Sequence, residues 1–453
     1  MNKFIYLLFS SVFFLDYLAI KLDIIDSSIA LLPDVLSMVA ALVILVLAGS
    51  KDSAVPKKYV VLFLCLIAVV LIGIASNSTT AGSLIIGIRN YFKFLPFFFL
   101  PAVFAFSEKQ LGLQLKLLLA FVLLQGPLAL FQKFVQFGIT STGDYISGTL
   151  TSGGQLPILL AGGIAVLTAF YLQQRITTAR YFIFLSLMAA PIMLSESKAS
   201  IGYIPLAFIV PIFTNYRTGG NRKDGKQILG VLTLLAVVGL AFVATYDYFA
   251  QFGRESRRGG IIEFFTSGTA ENYLNRGAID SRRVNQTGYV DIVLLPLSQL
   301  SDEPFKLFFG LGIGSVSGSA IESLAADKPD TGDYTVRIAS SVSQFLWEIG
   351  VLGLIIYFLF FYMLYNDARR LSKGEGVLAR LALGWTGVIA IGTLALFFRV
   401  FFEDGAIAYP FWFYAGMIAA NAVRMKKVER KKMAANIRAH IISKDTETAK
   451  VGT

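Results

Sequence analysis

Apolar residues along this chain fall in runs of about 15 to 25, separated by short polar connections. Twelve such runs cover residues 4–20, 33–49, 58–76, 84–106, 116–136, 156–173, 180–195, 200–214, 228–249, 341–365, 380–399 and 408–423. About 20 apolar residues in a helix cross the hydrocarbon core of a bilayer. In lipid, each backbone N–H and C=O of a lone span must be satisfied within the segment, which requires a helix. The pattern predicts an all-α polytopic membrane protein with about 12 transmembrane helices. Several runs carry Pro or Gly, which predicts tilted or broken helices. The first run follows Lys3 and shows no A-x-A cleavage site, so it reads as the first span and not as a removed signal peptide. The rhythm breaks once, over residues 250–340. A connection there of about 90 residues far exceeds the roughly 2–8 usual between helices, and long ordered loops generally carry function.

Charge gives the orientation. Of the 453 residues, 55% are hydrophobic and only 15% charged, with a formal net charge of +11. The excess cations are scattered over short connections and the C-terminal end, which excludes a nucleic-acid surface and fits the positive-inside rule. With the N-terminus cytoplasmic, the inner segments carry Lys51, Lys57, Lys58, Arg175, Arg180, Arg217, Arg222, Lys223, Lys226, Arg369, Arg370, Lys373, Arg380 and the basic stretch "RMKKVERKKM". The outer connections carry almost none, Lys21 and Lys198 excepted. Both termini are then cytoplasmic and the 250–340 loop extracytoplasmic. The chain divides into a nine-span bundle (1–249), the loop (250–340), three further spans (341–423) and a basic tail (424–453) read as a disordered anchor at anionic lipid. The single cysteine, Cys65, lies inside a run and reads as a core residue, and the single histidine, His440, sits in the tail. One of each leaves no His/Cys set for zinc.

Candidate chemistry lies in the loop and in the charges within spans. Arg276, Arg282 and Arg283 precede a predicted helix over 284–300, with Asp291 near its middle. Arginine forks bind phosphate, and a helix N-terminus favours anions. The same arginines also suit a solvated face paired with Asp280, Glu271 and Glu263. Arg254, Arg257 and Arg258 read as interfacial side chains. The stretch "GLGIGS" (310–315) follows no strand and reads as a tight turn allowing close backbone approach. Intramembrane charges mark sites or pathways. Arg89 and Lys93 stand at i and i+4 on one helical face, where either a shared anion or an acid from another helix completes them. Glu196 and Lys198 mark a sharp corner between two short spans, as a cavity lining or a local ion pair. Glu348 lies about two turns inside the span after the loop, as a base or an arginine partner, while Arg399, Glu403 and Asp404 sit at an outer end.

This arrangement resembles the bacterial O-antigen polymerase and O-antigen ligase superfamily. The matching stretches are "LSESKASIG", with Lys198 where arginine is usual, "SRRVNQTGYVDIVLLPL" followed by "LFFGLGIGS", and "FLWEIGVLGLIIY". The resemblance covers the membrane plan and most of residues 80–365. The resemblance implies transfer of a glycan from an undecaprenyl-diphosphate carrier to an acceptor sugar, without nucleotide, metal or other cofactor. It implies that Arg282 or Arg283 contacts the diphosphate, with Arg276, Arg89, Lys93 and Lys198 completing a basic funnel, and that Glu348 or Glu196 takes the acceptor proton. The ligases carry a histidine about nine residues before the acid. Here that place is about Ala339, in "RIASSVSQ". Polymerisation of repeat units into O-antigen, capsule or exopolysaccharide is therefore favoured over ligation to lipid A-core. A chain-length regulator and a repeat-unit flippase are the implied protein partners, with membrane lipid around them. Transport of a lipid-linked or anionic solute is the alternative of a different class.

Overall fold

The computed structural model describes residues 1–49, 53–77, 79–141, 143–218, 225–252, 261–266, 288–317, 338, 340–400 and 404–451. Every regular element among them is a helix. In chain order these are α1 (Asn2–Asp16), α2 (Leu32–Leu47), α3 (Lys57–Ser76), α4 (Ala81–Phe92), α5 (Leu95–Val103), α6 (Glu108–Phe131), α7 (Leu156–Leu172), α8 (Thr178–Leu194), α9 (Ser200–Arg217) and α10 (Gly225–Phe252). The later ones are α11 (Ile261–Thr266), α12 (Tyr289–Gln299), α13 (Pro304–Phe309), α14 (Ser341–Leu371), α15 (Gly376–Phe398) and α16 (Gly405–Val451). Eight helices among the described residues are long and apolar enough to cross a bilayer, or nine when the bent pair α4 and α5 is taken as one span. The protein is a multi-pass membrane protein.

Local chemistry sets the ends and breaks. Ser107 and Gln110 form a reciprocal capping box that starts α6, with side-chain to backbone distances of 3.3 and 2.9 Å. The run expected at 84–106 is broken into α4 and α5, bent by 41°. Pro96, in the first turn of α5, has no N–H to return to Phe92. Within α14, Gly350 adopts φ +64°, and the backbone of Phe308 and Phe309 packs where a β-carbon would stand.

The core runs along α15, which packs against α7, α9 and α14, while α5 packs on α16. Small residues permit this closeness: Gly384 faces the backbone of Ala165 and Val166, and Gly416 faces that of Phe98. Phe98, Phe360 and Trp412 form an aromatic knot with ring centroids 4.9–6.0 Å apart.

Three expectations are corrected here. Cys65 is exposed and not a core residue. The buried stripe of α3 is Tyr59, Leu62, Phe63, Leu66, Val69 and Val70, and Cys65 lies off it. The predicted helix over 284–300 is observed as Tyr289–Gln299, so Asp291 stands in its first turn. The tail continues α16 as helix through Val451.

Candidate functional site

The glycine stretch 310–315 is a turn, as its composition predicts. Gly310, Gly312 and Gly314 have φ of +76°, +97° and +76°, a region that only glycine enters freely. The turn wedges between α4 and α14. Ile313 packs on Gly87, and Gly314 lies against the Ser83 carbonyl. Leu311 N–H donates to the Trp347 carbonyl at 2.7 Å, and Asn77 Nδ2 donates to the Gly310 carbonyl at 3.1 Å. Glu348 then fastens its far end. Its side chain is only 1% exposed, and Oε1 accepts from the backbone N–H of Val316 at 3.1 Å and of Ser317 at 2.7 Å. Gln344 Nε2 donates to Ser317 Oγ at 2.6 Å, and the Tyr91 hydroxyl faces the same carboxylate.

A second buried turn comes from residues 143–155. Gln132 Oε1 accepts from Ser147 N–H and Gly148 N–H at 3.1 and 2.8 Å, and Gln125 Oε1 accepts from Thr149 N–H at 2.8 Å. Both glutamines are buried, and they supply the acceptors that water gives an exposed loop. Lys21 donates to Ser147 Oγ. Beside this turn lies Lys133, whose side chain is 0% exposed. Its Nζ meets Glu196 Oε1 at 2.9 Å, the Ser141 carbonyl at 2.7 Å and the Phe249 ring at 4.5 Å. Glu196 has φ +50°, uncommon for a side-chain-bearing residue, and the corner presses on Gly143.

The third group lies where α1, α2, α4 and α16 meet. Arg89 Nε donates to Asp34 Oδ2 at 2.7 Å, and the Tyr409 hydroxyl donates to Asp34 Oδ1 at 3.0 Å. Lys93 ends α4 with its ammonium 4.8 Å from the Phe94 ring centroid. Asp16 lies within electrostatic reach of Lys93, Arg89 and Asp34. Asp404 caps α16 through Ile407 N–H at 3.3 Å and accepts from Thr151 Oγ1 at 3.1 Å, which joins this group to the 143–155 turn. Burial, aided by the neighbouring Asp16 carboxylate, pushes Asp404 up to about 6. Arg399 lays its guanidinium against Gly154, while its carbonyl accepts from Ser341 N–H at 3.0 Å at the start of α14.

The three groups therefore form one polar layer across the end of the bundle from which residues 253–340 depart. Of the expected site residues, Arg89, Lys93, Glu196, Lys198 and Glu348 stand in or beside it. Arg276, Arg282 and Arg283 lie outside the described residues, as do Glu403 and Ala339. One local expectation is corrected and one open alternative is met. Glu196 pairs with Lys133 from α6's extension, not with Lys198 as its ion-pair partner. Arg89 pairs with Asp34, an acid from another helix, which is one of the two completions its spacing allows. Sequence reasoning passed over Asp16, Asp34, Gln125, Gln132, Lys133, Thr151 and Tyr409. One signal was present: Gln125 and Gln132 stand seven apart, on one helical face, inside an apolar run. Compared with known families and curated proteins, the chain matches no family model and no curated protein.

Proposed function

We propose that this protein polymerises undecaprenyl-diphosphate-linked oligosaccharide repeat units at the outer face of a bacterial inner membrane. In this reading the chain makes 12 spans, with α7, α8 and α9 as short crossings and both termini cytoplasmic. The supporting observation is the polar layer, in which cations remote in sequence gather beside the departing loop, with the loop's glycine turn locked against α4 and α14. The reaction follows directly. An acceptor sugar hydroxyl attacks the anomeric carbon of the donor, the bond from that carbon to the diphosphate oxygen breaks, and the diphosphate leaves with the electron pair.

A diphosphate-linked sugar is already activated, so the protein must orient both partners and stabilise the leaving charge. Arg89 is suited to that task, because Asp34 fixes its fork through Nε while 31% of its side-chain surface stays exposed. Lys93 and Lys198 add charge nearby, and we assign Arg276, Arg282 and Arg283 to the diphosphate on the resemblance of their sequence. Glu196 takes the acceptor proton, being at the layer's edge with 18% of its side chain exposed. Glu348 is committed to Val316 and Ser317, and we assign it to positioning the turn.

The test is purified protein in vesicles with a synthetic carrier-linked repeat unit. Products of several repeats support the proposal, and the R282A/R283A variant should give markedly shorter chains. Transfer of one glycan only to a lipid A-core acceptor indicates a ligase, and movement across the bilayer without new glycosidic bonds indicates a transporter. Either outcome overturns polymerisation, and unchanged long chains from R282A/R283A reject the arginine role.

A further inference from the structure

Running toward the end of the bundle opposite the polar layer is a feature that the proposed reaction does not use. A cavity of about 520 Å³ lies between α6, α7, α8, α15 and α16. That size is within the roughly 300–1,000 Å³ of small-molecule sites. It is long and narrow: on α15 its lining runs from Val377 to Gly392, about 22 Å at 1.5 Å per residue. Its interior is apolar, with Met188, Trp385 and Phe411 in the wall. Its polar end carries four cations, Lys116, Arg175, Arg180 and Arg380, and among the described residues no carboxylate lines it. A second, polar cavity of about 860 Å³ adjoins it through Arg175 and Arg380.

Arg380 is the informative residue. It is 9% exposed, its Nε has no hydrogen-bond partner, and its guanidinium stands 5.6 Å over the Phe170 ring. Arg175 and Glu108 are the charged groups that act on it. Glu108 is itself drawn to the start of α15, its carboxylate against Gly376. Arg380 borders both cavities: Glu108 and Glu375 line the polar one, none of the described carboxylates lines the apolar one, and an anion completes its unused donor.

We propose that this cavity holds an anionic phospholipid drawn from the leaflet at this end, which is the cytoplasmic one in the orientation above. One acyl chain fills the apolar length, and the phosphate meets Arg380, Arg175 and Arg180. The shape commits the site to a lipid and not to a free phosphate, because a small anion leaves the apolar length empty. Basic pockets between helices on the cytoplasmic side bind anionic headgroups by the same physics.

The test is native mass spectrometry of the full chain, delipidated in detergent and then incubated with phosphatidylglycerol, phosphatidylcholine or inorganic phosphate. Retention of phosphatidylglycerol should exceed that of phosphatidylcholine by about tenfold or more, and phosphate should not compete at millimolar levels. R380Q should lose that preference. Gly162, whose added β-carbon would touch only Val388 at 3.7 Å, lines the apolar part. G162L therefore blocks the chain and leaves the basic end intact, and it should also abolish retention. Equal retention of the two lipids overturns the proposal, as does competition by phosphate alone. Wild-type retention by G162L overturns it even where R380Q does not fold.

Discussion

Removing the Glu348 carboxylate should release the glycine turn without dismantling the bundle. In Glu348→Ala, the N–H groups of Val316 and Ser317 lose their acceptor in a buried place. A buried donor left unpaired costs about 1–3 kcal/mol, so two cost roughly 2–6 kcal/mol. Because Leu311 and Gly312 keep their own bonds to α14, the loss is felt first as local opening. An opening constant raised by 2 kcal/mol is about thirtyfold, and amide exchange over residues 310–317 should quicken by at least that. Glu348→Gln keeps an acceptor of the same size and loses only the charge assistance, which makes such bonds about twice as strong as neutral ones. Its cost should be about 1–2 kcal/mol. The assay is hydrogen–deuterium exchange of the protein in nanodiscs, run beside the polymerisation reaction. Unchanged exchange in Glu348→Ala would remove the clamp from the argument. A Glu348→Gln variant with full amide protection and no glycosyl transfer would show that the carboxylate acts on substrate, against the positioning role assigned to it.

Other perturbations test the same layer. Asp404 is raised from 3.8 to about 6, so the folded state binds a proton more tightly than the unfolded chain. Its contribution to stability is full below pH 3.8 and is lost as pH rises through about 6, a difference of about 3 kcal/mol. Asp404→Asn should therefore raise Tm relative to wild type at pH 8 and match it near pH 4, and an equal shift at both pH values would refute the assignment. Gly314→Ala places a β-carbon against Ser83 and Gly87 at φ +76° and should cost more than about 2 kcal/mol in denaturant unfolding. Gly112→Ala, with nothing within 4 Å, is the control that should not destabilise. Of the pair Lys133 and Glu196, the ammonium is the more deeply buried. Glu196→Gln leaves that charge uncompensated and should cost about 3–5 kcal/mol, whereas Lys133→Met leaves a carboxylate that water can reach and should cost less. The reverse order in thermal unfolding would refute the burial argument.

What could be read from the sequence followed from local physics. Length and hydropathy located the eight or nine long apolar helices, because a lipid-crossing helix must be apolar over its whole length. Positive-φ glycines in a G-x-G-x-G pattern announced the turn at 310–315, because that backbone excludes other residues. Pairing could not be read. Arg89 announces a need for an acid, yet Asp34 lies 55 positions earlier, and Tyr409, on the same carboxylate, lies 375 positions after Asp34. Nothing local selects among the acids at that end. Cys65 was misplaced because a run apolar on all sides hides which stripe meets protein and which meets lipid. The 143–155 turn was missed because Gly, Ser and Thr in a connection resemble a solvated loop, and only its contacts with Gln125 and Gln132 bury it.

The pairing itself bears on how the proposed reaction begins. A cation left alone in a buried site costs several kcal/mol, so bare cations would destabilise the ligand-free layer, most of all at Lys133. Asp34, Glu196 and Asp16 remove that cost while leaving the cations in place. Each carboxylate offers one charge to its partner, and a diphosphate offers more charge and more acceptor oxygens. In the proposed reaction an arriving carrier can therefore recruit Arg89 without first ordering it, since Asp34 already fixes its guanidinium.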